Sequence, residues 1–180
     1  MFKKLALPIQ VQKYKYTGTQ FKCGNTEDDV FRGLHYQFAD IENADELLAV
    51  IPEQYRKDFC LSIVEINTNV PPHTDSGIKA AINFYIQTDG CTTRFFRPKT
   101  DNPKTYTIEN QHEEGRIYAE EDLYEVGCFC ASEEEAWLLD VTIPHAVKPQ
   151  TDKVRIAAQL ATASHSYDQV LKMLEANHVL

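Results

Sequence analysis

The sequence predicts a mainly β fold with a few small flanking helices. Between residues 60 and 162 the chain carries several short apolar runs rich in β-forming residues and bounded by Pro, Gly, Asn and Asp. Such spacing is typical of a β-sandwich or barrel. On either side of this region, shorter segments show the apolar periodicity and the start signals of helices. Sheets therefore form the predicted core, and helices cover it.

Six strands are expected in the core region, because each run is short and ends in turn-forming residues. They cover residues 61–67, 80–87, 92–97, 105–108, 136–141 and 155–162. Alternation of apolar and polar residues predicts a further strand at 9–16. The polar stretch at 17–29 is expected to be rich in turns.

Three short helices are predicted around the strands. Asn43 is a suitable cap for a helix over residues 44–50, and Pro52 suits the first turn of a second helix that ends near residue 59. At the other end of the chain, Ser166 and Gln169 have the spacing of a capping box. They predict a helix over 166–177.

A single domain spanning residues 1–180 is expected, since the chain shows no repeat, low-complexity tract or linker-like change in composition. The predicted core covers about 60–162. Within it, residues 99–135 are rich in Glu and Asp and are predicted to form an acidic insertion. It is either a solvated excursion between core strands or a lid that selects substrate.

The net charge of −9 argues against non-specific binding to DNA or to acidic lipid, both of which require cationic patches. It leaves room for a local basic groove of Arg94, Arg97, Lys99 and Lys104. The sequence shows neither a long apolar run nor a signal peptide, so we expect a soluble, cytoplasmic protein with no membrane association. The five cysteines (Cys23, Cys60, Cys91, Cys128 and Cys130) are expected to be reduced, and a zinc site at Cys128 and Cys130 is disfavoured by their spacing.

The most informative motif is Val70-Pro-Pro-His-Thr-Asp-Ser-Gly77, which follows an apolar strand. In an extended segment His73 and Asp75 lie on one face and can chelate the same ion. The alternative is a surface turn in which Asp75 caps the backbone near Gly77. Taken alone, a His-x-Asp triplet is a weak signal.

A second motif, Ala136-Trp-Leu-Leu-Asp-Val-Thr-Ile-Pro-His-Ala-Val147, places His145 just after an apolar strand. Ten residues later, Arg155 lies inside the otherwise apolar run 154–160. A buried guanidinium is costly unless an anion meets it. The partner of Arg155 is therefore either a ligand or a buried acid such as Asp140.

Together these residues predict a metal site. Two histidines and one carboxylate bind non-haem Fe(II) on one face and leave about three coordination positions for a bidentate co-substrate and O₂. The planar guanidinium of Arg155 has N–H donors that match the far carboxylate of a dicarboxylate. His73, Asp75 and His145 are the predicted metal ligands and catalytic centre.

The pattern His73-x-Asp75, His145 and Arg155 resembles that of the Fe(II)/2-oxoglutarate-dependent dioxygenases, in both order and spacing, over residues 61–162. The resemblance implies a double-stranded β-helix, which is a cupin-like jelly roll. It also implies hydroxylation of a C–H bond with succinate and CO₂ as co-products, using Fe(II), 2-oxoglutarate and O₂, with ascorbate as a stimulant.

Two branches of that superfamily are the most similar. The run Ala80-Ala-Ile-Asn-Phe-Tyr-Ile-Gln87 looks like the strand of prolyl hydroxylase-like enzymes in which a tyrosine contacts 2-oxoglutarate; Tyr85 is the matching position, and Asn83 shares its face. The stretch around His145 is similar to that of aspartyl/asparaginyl hydroxylases. A small molecule, an amino acid or a protein side chain is therefore the expected substrate.

Ala157 departs from the pattern, because many relatives have a Ser two positions after the Arg. The predicted 2-oxoglutarate anchor then consists of Arg155 with Tyr85 or Asn83, although both of these could be ordinary core residues. Two other functions remain open. One is a non-catalytic binding or assembly module with this fold. The other is a cupin-like metalloenzyme that does not use 2-oxoglutarate, which Arg155 disfavours.

Overall fold

The computed structural model describes residues 1–6, 10–21, 34–88, 90–108 and 115–180. These described residues form thirteen strands in two antiparallel sheets. In chain order the strands are β1 (Phe2–Lys4), β2 (Tyr14–Phe21), β3 (Leu34–Ile41), β4 (Cys60–Ile66), β5 (Val70–Thr74), β6 (Ala80–Gln87), β7 (Thr92–Pro98), β8 (Thr105–Ile108), β9 (Gly115–Tyr118), β10 (Leu123–Cys130), β11 (Ala136–Leu139), β12 (His145–Lys148) and β13 (Arg155–Thr162).

The two sheets form a double-stranded β-helix, as predicted. The larger sheet has the order β1-β11-β6-β13-β4-β3-β2, and the smaller has the order β10-β7-β12-β5-β9-β8. If β8 and β9 are left out, the strands from β4 to β13 alternate between the two sheets along the chain. The exception is β7 and the next strand, β10, which both belong to the smaller sheet. This is the winding of a jelly roll.

The remaining strands lengthen the sandwich at its edges. β1 pairs with β11, whereas β3 and β2 continue the larger sheet beyond β4. β9 and β8 continue the smaller sheet beyond β5. Both sheets are thus extended on the side where β4 leads into β5.

Helices cover the outer face of the larger sheet. α1 (Ala44–Leu48) is followed by a 3₁₀ helix over Glu53–Asp58, and α2 is Tyr167–Ala176. The capping box at Ser166 and Gln169 is confirmed. The prediction for Asn43 is wrong in detail: its side chain makes no cap hydrogen bond and instead binds the backbone of Gln10 and Gln12.

Apolar side chains fill two layers. One cluster lies between the sheets and includes Val64, Tyr85, Phe95 and Ala157. The other lies between the larger sheet and the helices and includes residues such as Leu47 and Leu160. Because side chains alternate along a strand, the two faces of β13 serve different layers.

The acidic segment differs from its prediction. The described residues between 99 and 135 form three strands, and β10 is a core strand of the jelly roll that pairs with β7 along its length. No strand was predicted there because only Leu123 and Phe129 of β10 are buried and half of its residues are exposed, so its composition resembles a loop. Residues 109–114 of this segment lie outside the described part of the chain.

Two other expectations concern the N-terminal third. Strand β2 begins at Tyr14 and continues to Phe21, so part of the stretch predicted to be turns is a strand. Residues 7–9, of which the last begins the predicted strand, and residues 22–33, which include Cys23, lie outside the described part. The other four cysteines form no disulfide, and Cys128 and Cys130 are both exposed. Neither α-helix in the described segments has the length and apolar character needed to cross a bilayer.

Candidate metal centre and anion pocket

Neighbouring strands of the smaller sheet bring the two predicted histidines together. β5 carries His73 and β12 carries His145, and the two residues are directly opposed in the antiparallel register. Opposed residues point to the same face. Asp75 follows the end of β5, where its backbone N–H donates to the carbonyl of Val141. Two segments that are far apart in the sequence therefore meet at one point.

The three side chains form a compact cluster. The Nε2 atom of His73 lies 3.3 Å from Oδ1 of Asp75, and Nε2 of His145 lies 3.7 Å from the same oxygen. The imidazole centroids are 4.4 Å apart. One ligand atom from each residue falls within 4.8 Å of the others. Within the described segments this is the only such cluster of three potential ligands.

Backbone carbonyls fix the orientation of both imidazoles. Nδ1 of His73 lies 2.9 Å from the carbonyl oxygen of Pro71, and Nδ1 of His145 lies 3.0 Å from that of Ile143. A carbonyl only accepts hydrogen bonds, so each Nδ1 carries the proton and, in a neutral ring, each Nε2 presents a lone pair. This is the tautomer that binds a metal ion through Nε2.

Burial and charge keep the cluster in the protonation state of a ligand set. The pKa of His145 is lowered to about 4, chiefly by burial and secondly by the neighbouring His73. Burial acts to raise the pKa of Asp75, but the contacts of its carboxyl group with His73 and His145 outweigh burial, so that pKa is lowered. At neutral pH a carboxylate thus faces an uncharged His145.

The donor set fits a divalent cation. Two nitrogen lone pairs and a carboxylate oxygen converge on one point, where they repel one another unless a proton or a cation lies between them. The set of two imidazoles and one carboxylate suits Fe(II) and related transition metals. The residues that would hold the ion are His73, Asp75 and His145.

A buried guanidinium lies between the same two sheets. Arg155 is 4% exposed. It donates to the Tyr85 hydroxyl at 2.5 Å, to Oγ1 of Thr93 at 3.0 Å and to Sγ of Cys91 at 3.3 Å. Its guanidinium carbon also lies 4.7 Å from the centre of the Tyr85 ring. Every one of these contacts is to an uncharged group.

No carboxylate in the described part of the chain forms an ion pair with Arg155. Asp140, the alternative partner considered from the sequence, instead accepts hydrogen bonds from the backbone and hydroxyl of Thr142. Burial acts to lower the pKa of Arg155, but contacts with Tyr85 and Cys91 outweigh it and raise the pKa. The guanidinium is therefore charged and lacks an acidic partner among these residues.

Two members of this pocket were not predicted. Cys91 immediately precedes β7 and Thr93 is the second residue of that strand, and neither belongs to a recognisable motif. Alternation along β7 could have identified Thr93, because it shares a face with Phe95. The predicted residue Tyr85 contacts Arg155 directly. Asn83 does not contact Arg155 and instead accepts a hydrogen bond from Gln159.

Aromatic side chains close the cluster on one side. Phe95 stacks against His145 with centroids 5.8 Å apart, and it contacts Phe2 at 5.1 Å. Phe129 stacks on Trp137 at 4.0 Å. These rings make that side of the centre apolar.

The basic groove considered from the sequence is not available at Arg94. Its guanidinium binds Glu120 at 2.8 Å and Glu125 at 2.7 Å, and it lies over the ring of Phe96. Arg97 lies two residues beyond Phe95 and is exposed. Only Arg97 of this pair is therefore placed on the face of β7 that carries Phe95.

The sequence matches no family model, and no curated protein matches it. Among solved structures, one similar chain belongs to hydroquinone 1,2-dioxygenase PnpCD, crystallised in complex with Cd²⁺ and 4-hydroxybenzonitrile. The TM-score is 0.37 and the sequence identity is 8%, over 58% of this chain and 58% of that chain. This chain thus spans less than two thirds of the other, and the dioxygenase activity is a property of that protein.

Proposed function

We propose that the protein is an Fe(II)- and 2-oxoglutarate-dependent dioxygenase that hydroxylates a C–H bond. The reaction converts the substrate R–H, 2-oxoglutarate and O₂ into R–OH, succinate and CO₂. One observation supports this function above the others: a charged, buried Arg155 without an acidic partner in the described chain shares the space between the sheets with the His73, Asp75 and His145 cluster.

The argument for an anionic ligand is energetic. Removing a guanidinium from water costs several kcal/mol unless an opposite charge compensates it. Arg155 has five N–H donors in a planar fork, and its hydrogen bonds to the protein go to two hydroxyls and a thiol. A carboxylate can accept hydrogen bonds from the remaining N–H donors of the guanidinium. The pocket therefore favours a ligand with a carboxylate at its inner end.

The argument for a 2-oxo acid combines this pocket with the metal cluster. Three protein ligands leave about three coordination positions on a six-coordinate ion. A molecule that chelates through a 2-oxo acid group and carries a second carboxylate meets both requirements, and 2-oxoglutarate is such a molecule. A cupin-like enzyme without this co-substrate would have no need for Arg155.

Each residue has a distinct part in this proposal. His73, Asp75 and His145 hold the ion, and the carbonyls of Pro71 and Ile143 hold the two imidazoles in the required tautomer. Arg155 binds the far carboxylate, with Tyr85 and Thr93 holding the guanidinium in place. When bound, Fe(II) supplies the reactivity toward O₂ that a protein side chain lacks. The two sheets exclude water from the ligand.

The substrate class follows from the sequence resemblance alone. Because the stretch that contains Trp137 and His145 is similar to aspartyl/asparaginyl hydroxylases, we propose an amino-acid or protein side chain as the substrate. The cytoplasmic location and the single-domain organisation belong to the same proposal.

Purified protein supplied with Fe(II), ascorbate and 2-oxoglutarate tests this function. We expect it to bind 2-oxoglutarate and to release succinate and CO₂ slowly even without substrate, whereas His145→Ala should do neither. If the wild-type protein takes up the metal but neither binds nor consumes 2-oxoglutarate, the proposed co-substrate is wrong and a cupin-like reaction is favoured. If it takes up no metal, a non-catalytic module is favoured.

A further inference from the structure

Three buried polar side chains form a row across the inner face of the larger sheet. Ser62 on β4 is opposed to Gln159 on β13, and Gln159 is opposed to Asn83 on β6. Their exposed fractions are 7%, 8% and 4%. Polar groups in a β-sandwich core are costly unless they bind a partner. The row therefore requires an explanation.

The row faces the sheet that carries the metal cluster. Its neighbours two positions along each strand, Val64, Ala157 and Tyr85, belong to the apolar cluster between the sheets. Residues two apart on a strand point the same way. Ser62, Gln159 and Asn83 consequently point into the same space as Arg155.

The row also lies at the depth of the metal ligands. Ser62 is four residues before β4 ends at Ile66, and His73 is three residues after β5 begins at Val70. A three-residue turn joins these strands, so both residues lie about 10–13 Å from it along their strands. Facing sheets are about 10 Å apart. The polar row is thus opposite the histidines.

A chain of polar contacts links the row to the anion pocket. Gln159 donates from Nε2 to Oδ1 of Asn83 at 3.1 Å. The Asn83 amide interacts with the Tyr85 hydroxyl, which accepts from Arg155. The row and Arg155 therefore form one connected polar surface.

Part of the row's hydrogen-bonding capacity is unused. Within the described residues, the Ser62 hydroxyl has no hydrogen bond, and Gln159 uses one of its two amide hydrogens. No side-chain nitrogen or oxygen that is sealed from solvent lacks a partner in this part of the chain. The Ser62 hydroxyl therefore opens onto accessible space between the sheets, where a ligand can reach it.

We propose that Ser62 and Gln159 hydrogen-bond the metal-chelating end of the oxo acid, at the opposite end of the ligand from Arg155. This inference rests on the proposed function. A carboxylate only accepts hydrogen bonds, and the row offers the Ser62 hydroxyl and the second amide hydrogen of Gln159. Asn83 is a positioning residue, because it holds the Gln159 amide.

Formal charge explains why neutral donors occupy this position. A divalent ion (+2), Asp75 (−1) and the chelating carboxylate (−1) sum to zero. A Lys or Arg in the row would add a buried charge without compensation. At the other end, the second carboxylate has no metal beside it, and there the chain supplies the charged Arg155. The two ends of the pocket thus match the two ends of the ligand.

Binding experiments on Mn(II)-loaded protein test the inference without turnover. The probes are 2-oxoglutarate and oxalate, which reproduces the chelating end and lacks the far carboxylate. Trp137, the only tryptophan, is opposed to Asn83 in the sheet and reports binding by its fluorescence. The variants are Ser62→Ala, Gln159→Met and Arg155→Met.

We expect Ser62→Ala and Gln159→Met each to weaken the binding of both probes by the same factor, about three- to tenfold. Arg155→Met should weaken 2-oxoglutarate alone. Gln37→Met is the matched control: Gln37 is equally buried, at 8%, but its amide binds Glu65 instead of the row. That variant should bind both probes as the wild type does.

Two other results would contradict the inference. If Ser62→Ala and Gln159→Met bind both probes as tightly as Gln37→Met does, the row does not contact the chelating end. The same conclusion follows if they weaken 2-oxoglutarate but not oxalate. If the wild-type protein binds oxalate but not 2-oxoglutarate, the proposed function fails instead. The contribution of the row to binding the chelating end can then still be determined from the oxalate affinities of the variants.

Discussion

His73 and His145 are directly opposed on β5 and β12, and the Nε2 atoms of both lie within 4 Å of the same Asp75 oxygen. Neither strand could supply this arrangement alone. The antiparallel register aligns the two imidazoles, and the turn after β5 brings the carboxylate to them. The arrangement has direct consequences for metal binding.

Replacing a ligand should abolish stoichiometric metal binding. For His73→Ala and His145→Ala we expect the affinity for Mn(II) or Fe(II) to fall by more than about 100-fold, which exceeds the usual effect of changing a residue that only supports a ligand. Metal content after gel filtration measures this. His165→Ala is the control, because His165 binds Asp58 away from the cluster. Unchanged metal content in His145→Ala would rule out the cluster as the site.

Replacing the buried guanidinium should weaken 2-oxoglutarate specifically. Arg155→Met removes the cation but keeps an unbranched side chain, so we expect at least about 30-fold weaker binding, equivalent to about 2 kcal/mol. Arg94→Met removes an arginine that binds Glu120 and Glu125 on the protein surface. Calorimetric titration should show no change in that control. Equal affinities in the two variants would contradict the assignment of Arg155.

The hydroxyls around Arg155 should contribute less than the guanidinium does. Tyr85→Phe and Thr93→Val each remove one hydrogen bond to Arg155 and keep the side-chain shape. We expect roughly fivefold weaker 2-oxoglutarate binding in each, since a hydrogen bond contributes about 1 kcal/mol. Metal content should stay at the wild-type level. A variant that lost the metal as well would show that the hydroxyl supports the fold and not the pocket.

A larger side chain at Ala157 should obstruct the ligand. Ala157 and Ala158 are adjacent and both fully buried, but they face different layers: Ala157 faces the space between the sheets and Ala158 faces the helices. We expect Ala157→Leu to abolish 2-oxoglutarate binding while metal binding persists. Ala158→Leu should overpack the other layer to a similar extent without blocking the ligand. Thermal unfolding and titration of both variants separate the two effects.

The metal-free protein should lose stability in mild acid. The pKa of His145 is about 4 in the folded state and about 6.5 when unfolded. The folded state therefore binds fewer protons between these values, and the stabilisation present above pH 6.5 is lost as the pH falls toward 4. From pH 7.5 to 4.5 we expect this histidine to account for about 2–3 kcal/mol of the loss. Urea unfolding of the wild type and His145→Asn at both pH values measures the difference, and identical pH dependence would contradict the prediction.

Several features could be predicted because local chemistry specifies them. The strands β6 and β13 were predicted with the bounds observed, since their apolar runs end in turn-forming residues. The candidate ligands were identified because His-x-Asp places two side chains on one face of an extended segment. The capping box at Ser166 was evident for the same reason: it depends on residues three positions apart.

Other features depended on contacts that are distant in sequence. β10 was missed because half of its residues face water, and only its pairing with β7 identifies it as a core strand. Thr93 and Cys91 belong to no motif, and their role comes from Arg155 more than 60 positions away. The polar row was also invisible, because Ser62, Asn83 and Gln159 are adjacent only across three paired strands.

By itself, the sequence determined the fold class, the three candidate ligands and the need of Arg155 for an anion, because periodicity and the cost of burying charge act along the chain. The tertiary structure decided which groups surround that arginine and which face the candidate ligands. Strand register sets these neighbours, and register is fixed by hydrogen bonds and packing between segments that are far apart in the sequence. That is why Asp140 was a reasonable partner for Arg155 in the sequence, while in the fold the guanidinium meets only neutral groups among the described residues.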